Sequence, residues 1–566
     1  MQVQLQTRPV VLLRQHMALE SALDTCMCDL SELMNQHNSY QSLQIIANTL
    51  QKQLESLSLR QSFLSSNLYN VWNVKEKNRL ICFLEILPSE IISKIILPGS
   101  VIKMASVSKR MTTLMKKPEN MFRIGFRVQD TIFREKDLDS KIAQANAFGL
   151  VVVLNMTRCP VEELKKDQVF HALGKLTCIE KIFFHFKYLD TGHVERLFKL
   201  FAGLSDSLRV ISLRENSMGR FMPSLQETIK NLPMLEELYL GYNNIQDFNV
   251  ETASSLRLKK LSLCGNLFNL ERSLFQLSKF LQGCTEMTVL DLALCKINGL
   301  VSSFSQFMLA VFEMSHLTHL DLSRNFVGDH GIKKMIDLST PALQNLNLRE
   351  NRITDGKQLA NFISNFSTIE VLDLSENCFN FGTGEEVMES LGNLPKLQRL
   401  SLRNANLKHQ VTVHGHWQWG PTVQLSNAIL KHCNNLAFLD ISMNSVGDLG
   451  MKTLALSLRG CRNLYHINFK NTGLGDNTIA AMHTVFCCIG CASALQKLFV
   501  CENFFTTASE ENILAIICAC NKLTELSLVW WKENDDRQLI QTRIKSRLCV
   551  QDQERVAFFR SWSHGT

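Results

Sequence analysis

One phrase recurs along this chain: an apolar residue, two variable ones, a second apolar, one variable, a third apolar, then Asn three positions later. LRVISLREN begins at Leu208, LEELYLGYN at Leu235, LKKLSLCGN at Leu258, LTHLDLSRN at Leu317, LQNLNLREN at Leu343 and IEVLDLSEN at Ile369. The phrase returns with weaker final residues at Met287, Leu397, Leu436, Leu464, Leu495 and Leu523, and more loosely at Val151 and Ile179. That makes about fourteen units, with starts typically 26 to 31 residues apart. A unit this short cannot bury its apolar face alone, so such a period requires that neighbours stack into one continuous core.

The spelling has a physical reading. Apolar residues at the first, fourth and sixth positions alternate along a short strand and point into that core. The Asn can bond backbone groups in the turn leaving the strand, where no sheet partner serves them. Asn216, Asn243, Asn266, Asn325, Asn351, Asn377, Asn444 and Asn503 fill this position. Helical patterns follow, as in GDHGIKKMIDL after Asn325 and GDLGMKTLALSLRGC after Asn444. Strand-plus-helix units of this length resemble the ribonuclease-inhibitor-like and cysteine-containing classes of leucine-rich repeat. The resemblance covers residues 150–530 and implies an α/β solenoid, a horseshoe of about fourteen repeats, preceded by an all-α N-terminal region. Residues 531–566 are expected to be a C-terminal cap or tail.

Cysteines fit the same frame. Cys284, Cys433, Cys461 and Cys520 each sit three residues before a strand's first apolar position, and Cys491 sits four before. Small buried thiols suit the turn from helix to strand and need no metal there. Eighteen cysteines with no secretory signal in MQVQLQTRPVVLLRQHMALESALD are expected to be reduced, in a cytoplasmic or nuclear protein. No run approaches the roughly 18 uninterrupted apolar residues of a membrane span. The net charge of +7 is spread among acidic residues, so no basic face points to nucleic acid.

Upstream of the repeats, residues 1–67 carry helical spacing, with Leu19, Leu23, Met27, Leu30 and Met34 and then Ile46, Leu50, Leu54 and Leu57 around a break at HNSY. A helical hairpin or short coiled coil is expected. Residues 68–125 contain ILPSEIISKIILPGSVIKMASVSKRM, Ile86 to Met111. Pro88 suits a helix start, and Ile91 and Ile95 share one face of the helix that follows. The segment resembles an F-box: Leu87-Pro88-Ser89-Glu90-Ile91 matches the opening LPxEI, Ile95 the next apolar position, and Val107-Ser108-Lys109-Arg110 the closing VSKR. The resemblance implies that Leu87, Pro88, Ile91, Ile95 and Val107 contact or support a Skp-type adaptor in a cullin complex. The alternative is a helical cap on the first repeat.

The spacing between Leu397 and Leu436 is 39 residues, and the excess is HQVTVHGHWQWGPTV, His409 to Val423. Insertions into solenoids collect on one rim and often bind partners. His414, His416, Trp417 and Trp419 are therefore candidates for partner recognition. His409, His414 and His416 lack a nearby fourth ligand for zinc, and CCIGC, Cys487 to Cys491, lacks a second CxxC. Asp291, Asp321, Asp373 and Asp440, in the middle of their strands, are expected to line the concave face as an acidic stripe, as structural or solubility groups or for a basic ligand. Neither GxGxxG nor a phosphate loop is present, and no catalytic constellation emerges, so no cofactor and no enzyme activity are expected.

Taken with the resemblance, these features lead to a non-catalytic substrate receptor of a Skp-cullin-F-box ubiquitin ligase that holds a protein on the concave face or rim. The alternative is a leucine-rich-repeat scaffold or regulator, including a small-GTPase regulator, with no ubiquitin connection.

Overall fold

The computed structural model describes residues 173–175, 179–185, 190–247, 256–380, 383–408, 410–413, 416–432, 435–488, 494–529 and 536–560, with two earlier strands, Arg123–Arg127 and Val151–Asn155. The chain divides into two compact units, residues 1–154 with 175–179, and residues 155–174 with 180–566. The earlier strands fall in or at the end of the first unit. Leu87, Pro88, Ile91, Ile95 and Val107 lie outside the described residues, as do 1–67 and all of 68–125 except 123–125, which open the strand Arg123–Arg127.

In the second unit, fourteen parallel strands lie side by side in chain order from Lys181 to Arg560. Most are only three residues long. Their fourth-position apolar residues pair in one unbroken file from Ile182 to Leu526, as in Leu320 to Leu346 and Leu346 to Leu372. In the repeat at Leu343 the three apolar positions, Leu343, Leu346 and Leu348, are 0%, 1% and 0% exposed. Each such leucine contributes about 1.5–3 kcal/mol by burial, so the file and the helices packed on it make one continuous core.

Between strands the chain forms helices such as Gly328–Met335, Gly356–Ile363 and Asp448–Ser457. Buried phenylalanines pack behind the sheet: Phe312 stacks on Phe362, two repeats further on, at 6.3 Å, and Phe366 of that same repeat meets Phe362 edge-on at 5.1 Å. At the helix starts an acidic residue ties one repeat to the next. Asp329 Oδ1 accepts the N–H groups of Thr354 and Asp355, each at 2.8 Å, and Asp448 Oδ1 accepts those of Gly475 and Thr478. On its other side Gly356 permits an equally close approach of the following repeat, since a Cβ there would lie 2.0 Å from the Thr383 carbonyl oxygen.

The Asn file works as its chemistry requires. All eight residues are buried. Asn377 Nδ2 donates to the Leu348 and Leu374 carbonyls at 2.9 and 3.0 Å, and its Oδ1 accepts the N–H groups of Asn351 and Ile353. Where the phrase ends otherwise, Cys295, Ala405 and Thr472 take the position. Cys295 Sγ donates to the Leu263 carbonyl at 3.1 Å, as an Asn amide would, and Thr472 Oγ1 donates to Phe469 O. The residue before this position is left-handed in repeat after repeat, including Leu294 at φ 58°, Glu350 at 54° and Met443 at 62°.

Cys284, Cys461 and Cys520 are buried at the helix-to-strand turns, whereas Cys433 and Cys491 lie outside the described residues. Residues 536–560 continue the pattern beyond the last spelled phrase, with helices Asp536–Arg547 and Val550–Arg555 and the strand Ala557–Arg560 beside Glu525–Val529. Arg555 fixes this end: its guanidinium donates to the Ile517, Cys520 and Leu523 carbonyls at the close of the helix Glu510–Ala519.

Candidate functional site

The third and fifth residues of each phrase point away from the core. They form two rows across the sheet, and their identities vary freely because the leucine and Asn frame holds the backbone. At either end of the sheet their charges are met across neighbouring strands, by Lys260 with Glu237 at 3.0 Å and Lys497 with Glu525 at 2.6 Å. Pairs at flanking positions do the same, Arg209 with Glu236, and Arg349 and Arg403 with a shared Glu376.

The middle strands differ. The fifth-position row reads Ser262, Asp291, Asp321, Asn347, Asp373, Ser401, Asp440 and Asn468 in direct register. The four aspartates thus stand at the last residue of their strands rather than at mid-strand. Each turns one oxygen back to the N–H two residues on: Ala293, Ser323, Ser375 and Ser442 are the donors. Asn347 and Asn468 donate across the sheet to Asp321 Oδ2 and Asp440 Oδ2, both at 3.0 Å, and Ser262 Oγ to Asp291 Oδ2 at 2.6 Å. Burial raises the Asp321 and Asp373 carboxyls above the ordinary range, against the pull of the Ser323 and Ser375 hydrogen bonds.

Next to this row lies an aromatic group. The Phe438 ring is 4.4 Å from His466, and His466 is 5.3 Å from Phe499. The Arg399 guanidinium lies 4.4 Å over Phe438 and donates to the Tyr465 hydroxyl. Burial pushes the His466 imidazole down to about 4, although Asp440 nearby opposes the shift. The ring is therefore neutral at pH 7. None of these five residues was singled out by sequence reasoning. Aligning the phrases by their leucines would have placed Arg399, Phe438, His466 and Phe499 at the outward positions of consecutive repeats.

The insertion after Lys408 is an antiparallel hairpin of Gln410–Val413 with His416–Trp419, followed by the helix Pro421–His432. Trp417 pairs with Thr412, Trp419 with Gln410 and His416 with Val413, while His414 and His409 lie outside the described residues. The structure thus brings His416, Trp417 and Trp419 onto one strand. Among the described residues, no group of three or more His, Cys, Asp and Glu side chains could hold a metal ion. Nor is any described helix long and apolar enough to cross a membrane.

A family model described as Leucine Rich repeat matches residues 313–335 and 432–455, each a strand, its Asn turn and the helix that follows. The solenoid is built of leucine-rich repeats. NACHT, LRR and PYD domains-containing protein 5 of Mus musculus is 27% identical over 321 residues, 54% of this chain and 25% of that protein. Toll-like receptor 2 type-2 of Gallus gallus is 26% identical over 211 residues, 37% of this chain and 22% of that one. The leucine-rich-repeat chain spans about a quarter of the length of these curated relatives. Among solved structures, the TLR13–ssRNA13 complex is similar at a TM-score of 0.40 and 16% identity, covering 72% of this chain and 57% of that one. The mouse RP105/MD-1 complex is similar at 0.39 and 16%, covering 70% and 62%. A leucine-rich-repeat protein of Leptospira interrogans is similar at 0.37 and 16%, covering 73% and 98%.

Proposed function

We propose that this chain is a non-catalytic recognition module that holds a protein partner on the sheet face turned away from its helices. The observation that carries the reading is the group Arg399, Phe438, Tyr465, His466 and Phe499. Aromatic rings and an arginine gathered on a sheet face, outside the leucine core, are the residue types that dominate binding energy at interfaces. The hairpin strand with His416, Trp417 and Trp419, together with His414, adds a second contact element, and the module works in the cytoplasm or nucleus. Capture of proteins from cell extract by the intact chain and by a Phe438→Ala, His466→Ala variant of equal thermal midpoint tests this. Partners lost only by the variant support the reading; identical sets refute it.

A second reading rests on the F-box resemblance of Leu87, Pro88, Ile91, Ile95 and Val107, which would make the chain a substrate receptor on a Skp-type adaptor and cullin complex. The names of the relatives favour instead the receptor or scaffold reading, with no ubiquitin connection. Pull-down with a Skp adaptor, comparing the intact chain with a Leu87→Ala, Pro88→Ala variant, separates the two. No binding by the intact chain removes the ligase reading.

A further inference from the structure

Between the strands Val289–Asp291 and His466–Asn468, the third- and fifth-position rows carry four aspartates and one arginine. That arginine, Arg399, is occupied by Phe438 and Tyr465. None of Asp291, Asp321, Asp373 and Asp440 forms an ion pair with a described residue, and Arg349, which lies near Asp373, is committed to Glu376 at 3.6 Å. The charges of the outer strands are paired, as Lys260–Glu237 and Lys497–Glu525 show. This unpaired negative window belongs to a chain whose net charge is +7. A separate feature marks the same place. Ser442, two residues after Asp440, is fully buried, and its Oγ has no hydrogen-bond partner among the described residues.

We infer that this window is the seat of an extended basic segment of a partner protein, lying across the strands with an Arg or Lys at every third residue. The inference rests on the recognition-module reading and adds the chemistry of the partner. The spacing sets the register. Asp321 and Asp373 are two strands apart, with Asn347 between, and Asp373 and Asp440 are two apart, with Ser401 between. Two strand spacings are about 9.6 Å, and one three-residue turn of a segment in the extended polyproline II conformation spans about 9.3 Å and returns every third side chain to the same face. A basic side chain at each third position therefore meets Asp321, Asp373 and Asp440 in turn. Beside Asp440, the Phe438 and His466 rings offer apolar surface to the aliphatic stem of the residue that reaches it. Because His466 is neutral at pH 7, it does not repel that cation. Partial burial has already removed much of the water from Asp321 and Asp373, which strengthens each new charge pair.

The probes are a fluorescently labelled peptide of repeated Arg-Ser-Thr triplets, a peptide of the same composition with its arginines contiguous, and labelled oligouridylate. Each is titrated by anisotropy against the full chain and against an Asp373→Asn, Asp440→Asn variant. Asn already fills the same row at Asn347 and Asn468, so the variant is expected to keep its thermal midpoint. The spaced peptide is expected to bind about tenfold or more tighter than the contiguous one, and the variant to lose about tenfold or more for the spaced peptide alone. Equal affinity for both peptides, undiminished binding by the folded variant, or preference for oligouridylate overturns the inference. If the peptides fail to bind while the Phe438→Ala, His466→Ala variant still loses its captured proteins, the recognition reading stands and the basic segment falls.

Discussion

Asn377 Oδ1 accepts the backbone N–H of Asn351, its counterpart in the preceding repeat, at 3.0 Å. The same carboxamide serves Ile353 N, Leu348 O and Leu374 O, so one side chain satisfies four buried backbone groups. Asn377→Ala orphans them, and each buried group left unmet costs about 1–3 kcal/mol, part of which relaxation recovers. A loss of about 2–4 kcal/mol is expected in urea denaturation. Asn377→Cys is expected to fall between Ala and the parent, because Cys295 fills the equivalent place through its thiol.

Lys296 is exposed and held at φ 56°. A left-handed backbone costs an L-residue about 1–2 kcal/mol, and a β-branched one more, whereas glycine adopts it freely. Lys296→Gly is therefore expected to leave the urea midpoint unchanged or raise it, and Lys296→Val to lower it clearly. Equal midpoints for the two variants would show that this turn does not enforce its backbone.

His466 titrates near 4 in the folded chain against 6.5 for the free side chain, because burial disfavours its charged form. Between these values the unfolded chain binds the proton and the folded one does not, so stability falls as pH drops from about 6.5 towards 4. Asp448 and Asp476 act in the same direction at lower pH. Desolvation alone would raise their folded carboxyls, but the hydrogen bonds together, from Thr478, Asn477 and Gly475 to Asp448 and from Ser509 and Thr506 to Asp476, hold them below the usual value, and the stability they confer is lost as pH falls through those lowered values. Urea midpoints for the parent and a His466→Gln variant at pH 7 and pH 5 isolate the histidine. The parent is expected to lose more stability than the variant over that interval; parallel losses would contradict the assignment.

Burial pushes the Cys284 and Cys520 thiols up to about 12, and Cys295 upward as well. Cys378 and Cys549 are exposed. Brief iodoacetamide treatment of the native chain, read by peptide mass spectrometry, is expected to mark Cys378 and Cys549 and to spare Cys284, Cys295 and Cys520 until urea is added.

The periodic phrase made the second unit's architecture legible, because each leucine and Asn does a local job that recurs with every strand. Ile182 to Leu526 and Asn216 to Asn503 fall where their spelling places them. The strand Ala557–Arg560 was not legible, since AFFR lacks the phrase and its place is set by pairing beside Glu525–Val529 instead. The left-handed turn residues were equally hidden, because Leu294, Glu350 and Met443 take that backbone from the fold, not from their own preference. The aspartate row was visible in the LDL spellings. The Phe438–His466–Phe499 contact was not, because its rings come from repeats whose phrases lie 28 and 31 residues apart and meet only across paired strands, Phe438 in register with His466 and Phe499 opposite Asn468.

The central claim is that the outward rows of the sheet, not the helices behind them, hold the partner. A photo-crosslinking residue placed in cells at His319 or Phe499 on the sheet, or at Lys333 on the helix Gly328–Met335, tests it directly. The account expects one shared protein adduct from both sheet positions and none of it from Lys333. An adduct confined to Lys333, with both sheet positions silent, would contradict it.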